Sequence, residues 1–307
     1  DGIYDVVRGK LQFKSYFNPT ERPREPFYQE FYNSDSDWDV HYNNEWENGD
    51  GVAYGPMRSF FLNNDFTSSA NYQQGGEYWD MVNVADYFII NTWAATQDWP
   101  HNNFTFARER KAGAKWRFSM WDAEGGMGMF GQSNSHNSFE SNLLVPENGS
   151  RSPAINQDST MTRLVLRRAC QNAEFRLLFA DRLRRHFFNG GAMTRAKMQA
   201  RWTSLKTQVN PLVRAVFNRD ATDSHWNNWS NRDQLFLSQC RSAGLWPLTS
   251  APNLFPFGGS VSAGSNATLS NPNGSGTIYY TTNGNDPRAV GAAVQGSVYT
   301  APIPINS

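Results

Sequence analysis

Three oxygen-bearing side chains stand at the ends of neighbouring predicted elements. Asp98 and Asn103 lie in the loop after a long predicted helix, and Asp122 ends the second of the two predicted strands that come next. Carboxylate and amide oxygens are hard ligands that suit Mg²⁺ or Mn²⁺, with phosphate completing the coordination shell. The residue types and their order therefore predict a site for a divalent metal and a phosphate-bearing ligand.

The spacing of these residues has two explanations. An Asp followed five residues later by Asn, and then by an Asp at the end of a hairpin, is the order found in protein kinases. There the first Asp receives the hydroxyl proton, the Asn holds a metal, and the last Asp bridges metal and phosphate. An Asp-x-x-x-x-Asn pair also arises by chance, and Asp98 would then only form a turn at the helix end. Spacing alone leaves both explanations open.

The elements that must position these residues can be predicted from periodicity. A helix is predicted over about 78–96 and stops before Pro100, because apolar residues recur on one face at Tyr78, Val82, Ala85, Ile89 and Trp93. Strands are predicted over about 103–108 and 115–121, the second from its alternating apolar and polar side chains. Residues 125–158 are rich in Gly, Ser and Asn, which predicts a long loop.

The rest of the chain predicts an α+β fold followed by a small all-β module. Residues 2–20 are typical of a hairpin, residues 33–51 of an irregular loop, and residues 159–243 of a series of helices, one of which Asn172 can cap and the next of which Thr194 can cap. A further strand is predicted over 277–282. Helix-forming residues then give way to Gly, Ser, Thr, Asn and Pro. We predict three parts, with bounds of 1–246 for the main domain, 247–257 for a linker and 258–307 for the β module.

Composition and charge limit the function classes. The 28 basic residues balance the 28 acidic ones, which argues against a nucleic-acid-binding protein. No apolar run approaches the ~20 residues that cross a bilayer. Lys is scarce while Asn, Gly, Ser, Thr and Trp are plentiful, a composition typical of extracellular proteins. Cys170 and Cys240 are compatible with one disulfide or with two buried thiols.

Longer stretches resemble a known family. Residues 91–103, and residues 115–128 with the sequence KWRFSMWDAEGGMG, resemble the CotH kinase family, in which a helix leads into an Asp-Trp-containing loop and a strand ends in Trp-Asp-x-Asp/Glu. Residues 2–27 and 172–194 are similar to that family's hairpin and helical lobe. The stretch from about 258 resembles the β-sandwich module at the C-terminus of chitobiases. Both the start of the kinase-like domain and the end of this module are expected to lie outside the sequence.

The resemblance implies an atypical protein-kinase-like fold and a role for each site residue. Asp98 would be the catalytic-loop Asp, and Asn103 and Asp122 would bind the metal and, through it, ATP. Glu124 would be a further metal-binding carboxylate. Glu21 would pair with a Lys that binds the phosphates, and that Lys is expected upstream of residue 1.

Two functions follow as hypotheses. The first is a secreted or cell-surface bacterial phosphotransferase that uses ATP with Mg²⁺ or Mn²⁺ to phosphorylate Ser or Thr of a secreted or surface protein. The second is a non-catalytic surface or structural protein that keeps the fold for assembly with a partner. The three loop residues favour the first hypothesis. The β module favours the second, as does the Lys expected upstream, for which Lys10 and Lys14 are poor substitutes.

Overall fold

The chain folds into helices and small antiparallel sheets, which confirms the α+β prediction. The computed structural model describes residues 2–7, 10–16, 21–43, 45–144 and 160–305. The helices are α1 (Glu25–Tyr32), α2 (Tyr54–Asn63), α3 (Ser69–Tyr78), α4 (Met81–Ala94), α5 (Met161–Gln171), α6 (Ala173–Phe187), α7 (Arg195–Phe217), α8 (Ser224–Asn228) and α9 (Arg232–Ser242). The strands are β1 (Gly2–Val7), β2 (Lys10–Tyr16), β3 (Trp38–Tyr42), β4 (Glu45–Asn48), β5 (Phe104–Glu109), β6 (Arg117–Met120), β7 (Asn253–Phe255), β8 (Asn266–Ser270), β9 (Tyr279–Tyr280), β10 (Ser297–Val298) and β11 (Ile303–Pro304).

A four-stranded antiparallel sheet with the order β4-β3-β5-β6 carries the site. Its strands β5 and β6 fall where the sequence predicts them, although each is slightly shorter or shifted. The irregular loop predicted over 33–51 was wrong, because β3 and β4 form there. Trp38 and Val40 on β3 are buried, and β3 pairs along its whole length with β5. This pairing with a distant strand outweighs the weak strand propensity of an Asp- and Asn-rich segment.

The predicted N-terminal hairpin is confirmed by the antiparallel pairing of β1 with β2. Its turn at residues 8–9 and the segment 17–20 lie outside the described residues. Helices α1, α2 and α3 were not anticipated. Of the predicted loop at 125–158, the described part ends at 144 and includes a π-helical turn at Phe139–Leu143.

The core lies between α4, α5 and α6 and the inner face of the sheet. Helix α4 starts later than the periodicity suggested, because Asp80 caps it by accepting a hydrogen bond from the Asn83 N–H at 3.2 Å. Asn172 caps α6 in the same way, as predicted, through the Glu174 N–H at 2.9 Å. Residues with no exposed surface, such as Val84 in α4, fill this core.

Three further sequence expectations meet the structure. Cys170 and Cys240 are both free thiols, so the disulfide alternative is not realised. Helix α7 forms as predicted, yet it contains no fully buried residue, and Met198 is a half-buried residue of this helix that packs against the core. Within the described ranges, no helix is long and apolar enough to cross a membrane.

The C-terminal strands form two small antiparallel sheets, with the orders β11-β8-β7 and β10-β9. The strand predicted over 277–282 shortens to Tyr279–Tyr280. Arg288, from this region, binds the carboxylate of Glu174 in the first turn of α6, and the Gly291 N–H donates to the same carboxylate at 3.1 Å. These bonds connect the C-terminal strands to the helices.

His41 gives the sheet a measurable dependence on pH. Its ring stacks on Phe106 with centroids 4.6 Å apart, and burial lowers the pKa of its imidazole to about 4. In the unfolded chain the histidine has its ordinary pKa of ~6.5. Between about pH 6.5 and 4 the imidazole is therefore protonated in the unfolded chain but neutral in the folded one, which favours unfolding. His41 therefore costs no stability above about pH 6.5, and the cost grows as the pH falls towards 4.

We expect His41→Phe to flatten this acid response, by on the order of 3 kcal/mol of unfolding free energy at pH 4. Urea denaturation of both proteins from pH 7 to pH 4 measures the difference. His225→Phe is the matched control, because the His225 side chain is exposed and that variant should keep the wild-type response. Equal acid sensitivity in the wild type and His41→Phe would contradict the prediction.

Candidate functional site

Two loops meet at the C-terminal end of α4. The first loop (95–103) connects α4 to β5, and the second loop (121–132) follows β6. The Met127 N–H donates to the Ala94 carbonyl at 2.7 Å, so the second loop closes onto the last turn of α4. This contact holds together two segments that carry the predicted site residues.

The predicted residues Asp98, Asn103 and Asp122 share an unusual backbone conformation. Their φ angles are 55°, 54° and 50°, in the left-handed region that residues other than glycine seldom adopt. Each such residue costs of the order of ~1 kcal/mol, less for Asn and Asp, whose short polar side chains tolerate it best. Such conformations cluster at functional sites. Ala95 and Met127, in the same two loops, also have a positive φ, so the strained backbone is a property of both loops that carry the predicted residues.

The sheet brings Asn103 to Asp122. Phe104 pairs with Met120 across β5 and β6, so the residue before β5 and the residues after β6 emerge at the same end of the hairpin. The side-chain N–H of Asn103 donates to the backbone carbonyl of Asp122 at 3.2 Å. Because the amide nitrogen makes this bond, the amide oxygen of Asn103 is the atom suited to a cation.

The carboxylates of the second loop interact with each other. Desolvation raises the pKa of Glu124, and the raised value also reflects a hydrogen bond with the Asp122 side chain and the negative charges of Asp122 and Asp98. Asp98 and Asp122 therefore both act on Glu124. The Glu124 and Asp122 side chains are largely exposed, so solvent screens part of this repulsion. A cation bound here would relieve it.

The donor set fits a magnesium-type ion that also binds phosphate. Within the described ranges, no group of three or more His, Cys, Asp or Glu side chains is arranged to hold a metal by itself. Mg²⁺ typically takes one or two carboxylates and completes its shell with water and substrate phosphates. Asp122 and the Asn103 amide, with Glu124 beside them, supply this kind of incomplete protein shell.

Asp98 stands open to solvent at the edge of the first loop. Its side chain is 72% exposed, and the nearest charged partner is His101, with Nε2 3.8 Å from the Asp98 carboxylate. That distance is too long for a strong hydrogen bond. The Asp98 carboxylate is thus accessible to a group on a large molecule.

Glu21 is placed apart from the loop residues. It is exposed, and among the described residues no hydrogen bond or ion pair connects it to Asp98, Asn103 or Asp122. Its neighbour Arg22 is the residue that contacts this region. The Arg22 guanidinium lies 4.5 Å from the Tyr42 ring centroid and 5.9 Å from that of Trp121, which immediately precedes Asp122. The Lys that would pair with Glu21 is expected upstream of residue 1, so the role of Glu21 stays a prediction.

A small cleft of about 110 Å³ opens beside Asp98 and was not anticipated. Both loops and the start of the following segment line it, including Thr96, Gln132 and Ser138. Thr96 and Gln132 are neutral residues without a motif. No spacing signal in the sequence could have placed them together.

Buried Arg232 connects the end of α4 to the segment that follows the second loop. Its guanidinium has no exposed surface and donates to the Thr92 and Trp93 carbonyls of α4 at 2.6 and 2.7 Å. It also donates to the Asn134 and His136 carbonyls at 2.9 and 2.8 Å, beyond the second loop. One side chain thus joins α9, the end of α4 and the segment that lines the cleft. In the sequence, Trp229 and Phe236 flank Arg232 at helical spacing, but this pattern does not show which carbonyls the side chain binds.

We expect Arg232→Met to lower the unfolding free energy by about 3–5 kcal/mol, because four backbone carbonyls lose a charged donor in the interior. Denaturation in guanidinium chloride measures the loss. Arg241→Met is the matched control on the same helix, since Arg241 is exposed and its removal should change stability by less than about 0.5 kcal/mol. Similar losses in both variants would rule out this role for Arg232.

The left-handed backbone at Asp98 allows a second stability test. We expect Asp98→Gly to be more stable than Asp98→Ala by about 1 kcal/mol, since glycine adopts a positive φ without strain. Urea denaturation of both variants gives the comparison. The control is Ala200, an exposed residue inside α7. Ala200→Gly should lower stability by about 1 kcal/mol, because glycine is unfavourable within a helix. If Gly were less stable than Ala at residue 98, as it is expected to be at residue 200, the φ angle at residue 98 would carry no strain.

Comparisons with known proteins bear on both parts of the chain. The family model described as CotH kinase protein matches residues 28–236, more than half of the chain. The model described as chitobiase/beta-hexosaminidase C-terminal domain matches residues 256–307. No curated protein and no solved structure matched the chain in these comparisons. The two matches confirm both family resemblances predicted from the sequence.

Proposed function

Because this chain belongs to the CotH kinase protein family, we propose that it transfers the γ-phosphate of ATP to a Ser or Thr hydroxyl of a protein. The observation that carries the proposal is the arrangement of Asp98, Asn103 and Asp122 on two adjoining loops, all with left-handed backbone. The Asn103–Asp122 hydrogen bond ties two of the three together. A kinase-like fold, with bounds of 1–246, 247–257 and 258–307 for the three parts, belongs to the same proposal.

Asp98 is the proton acceptor in this proposal. The acceptor hydroxyl oxygen forms a bond to the γ-phosphorus while the bond from that phosphorus to the bridging oxygen breaks, releasing ADP. The hydroxyl proton passes to the Asp98 carboxylate. The high exposure of this side chain suits a hydroxyl presented by a polypeptide, which must reach the carboxylate from outside.

Asp122 and Asn103 would hold the divalent cation, with Glu124 as an additional carboxylate. Such an ion, when bound, neutralises negative charge on the phosphates. Desolvation, and to a smaller extent the charges of Asp122 and Asp98, raise the pKa of Glu124, and a cation at this position would favour the ionised carboxylates. Glu21 would orient a phosphate-binding Lys, as the family resemblance implies.

The acceptor is a secreted or surface protein, and the enzyme itself is secreted or held at the cell surface. Support comes from the composition, which is poor in Lys and rich in Asn, Gly, Ser and Thr. The module matched at residues 256–307 is separate from the candidate site, because Asp98, Asn103 and Asp122 all lie outside that range. Its contact through Arg288 and Glu174 keeps it attached to the helices.

Phosphate transfer tests the proposal directly. Full-length protein is incubated with radiolabelled ATP, Mn²⁺ or Mg²⁺, and a set of synthetic peptides that each contain a single Ser or Thr. We expect Asp98→Asn and Asp122→Asn each to reduce incorporation about 100-fold or more, because they remove a proton acceptor and a metal ligand. Electron paramagnetic resonance measures the binding of Mn²⁺ in the presence of ATP. This binding should weaken in Asp122→Asn and stay at the wild-type level in Asp98→Asn.

Asp35→Asn is the matched control, an exposed acidic residue in a loop that the site does not use. It should keep wild-type incorporation. Equal transfer by the wild type and Asp122→Asn would contradict the assigned site. No transfer by the wild type to any peptide or to itself would favour a non-catalytic protein that keeps the fold.

A further inference from the structure

The cleft beside Asp98 contains polar atoms that the described residues leave unsatisfied. Thr96 lines it, is only 6% exposed, and its hydroxyl has no hydrogen-bond partner in the described ranges. Gln132 lines the same cleft, and its side-chain carbonyl oxygen is buried and equally without a partner there. Buried polar groups are nearly always hydrogen-bonded, to protein or to ordered water, so these two atoms are available to a group that enters the cleft and displaces water.

The cleft is large enough for more than one water molecule. Its volume of about 110 Å³ is several times the ~10–15 Å³ that a single water requires. It is bounded by the first loop on one side and by residues 132–143 on the other. A side chain of moderate size therefore fits, entering beside Asp98.

The charges around the cleft select a neutral ligand. Asp98 lies at the rim and would repel a carboxylate. On the other wall, His136 has a lowered pKa because of burial and the positive charge of Arg232, and the same charge would oppose a cation. The unsatisfied Thr96 hydroxyl can donate, while the Gln132 carbonyl oxygen accepts. The two together match a group that both accepts and donates.

We propose that this cleft binds the uncharged carboxamide side chain of an Asn or Gln that flanks the phosphorylated residue in the acceptor polypeptide. This inference rests on the proposed function, because it takes the acceptor to be a polypeptide held next to Asp98. A carboxamide accepts from the Thr96 hydroxyl and donates to the Gln132 oxygen. Thr96 and Gln132 are then specificity-determining residues, although neither takes part in the transfer.

Peptide binding without ATP tests the cleft independently of phosphate transfer. The probes are fluorescent peptides with a single Ser and, at each flanking position in turn, Gln, Asn, Glu, Lys or Met. At one position we expect the full-length protein to bind the Gln peptide about tenfold more tightly than the Met peptide, by fluorescence anisotropy. Thr96→Val, which keeps the side-chain shape but removes the hydroxyl, should abolish that preference.

Thr162→Val is the matched control. Thr162, in α5, is buried and its hydroxyl also lacks a partner among the described residues, but it does not line the cleft. This variant should keep the tenfold preference. Gln132→Leu provides a second variant, which should lose the preference even if Thr96→Val folds poorly.

The outcomes separate the two proposals. Transfer to peptides with no preference for Gln or Asn at any position overturns the cleft assignment and leaves the proposed function standing; the cleft then holds ordered water only. A Gln preference that disappears in Thr96→Val, without transfer by the wild type, supports carboxamide binding in the cleft but overturns the phosphotransferase and, with it, the role of the bound peptide as a phosphate acceptor. A preference for Glu or Lys would also overturn the inference, because it would contradict the neutral character of the site.

Discussion

The candidate site depends on one buried cation. The Arg232 guanidinium is completely enclosed, and burial lowers its pKa to about 10, so it stays charged near neutral pH. Among the described residues its hydrogen-bond acceptors are chiefly backbone carbonyls, at the C-terminal end of α4, where the helix dipole is negative, and in the segment that lines the cleft. This buried charge thereby joins the end of α4 in the core to the segment that lines the cleft.

The sheet and the two loops together position the candidate site residues. The β5–β6 hairpin sets Asn103 beside Asp122, and the bond from Met127 to Ala94 closes the second loop onto α4. Strain and charge repulsion are then concentrated in a few exposed residues, while the strong contacts lie beneath them. Such a division is expected where function requires open, polar and strained groups, since the stability lost there must be supplied elsewhere.

Local signals predicted much of this structure. The apolar spacing of α4, the alternation in β6 and the Asn172 cap depend on neighbouring residues, and each was confirmed. Strands β3 and β4 were missed, because β3 pairs with β5, which lies more than sixty positions away, and β4 joins the sheet only through β3. Asp98, Asn103 and Asp122 were identified from residue type and order. The roles of Thr96, Gln132 and Arg232 appear only when distant segments are brought together, so no local pattern reveals them.

The left-handed backbone at the three loop residues also has an evolutionary consequence. Wherever a positive φ and an oxygen ligand are both required, Asp and Asn are nearly the only acceptable residues. Once selection for chemistry is relaxed, glycine becomes the replacement that the backbone tolerates best. A lineage could therefore lose catalysis by single replacements without losing the fold. Asn or Gly in place of Asp98 or Asp122 would mark relatives that have taken this route.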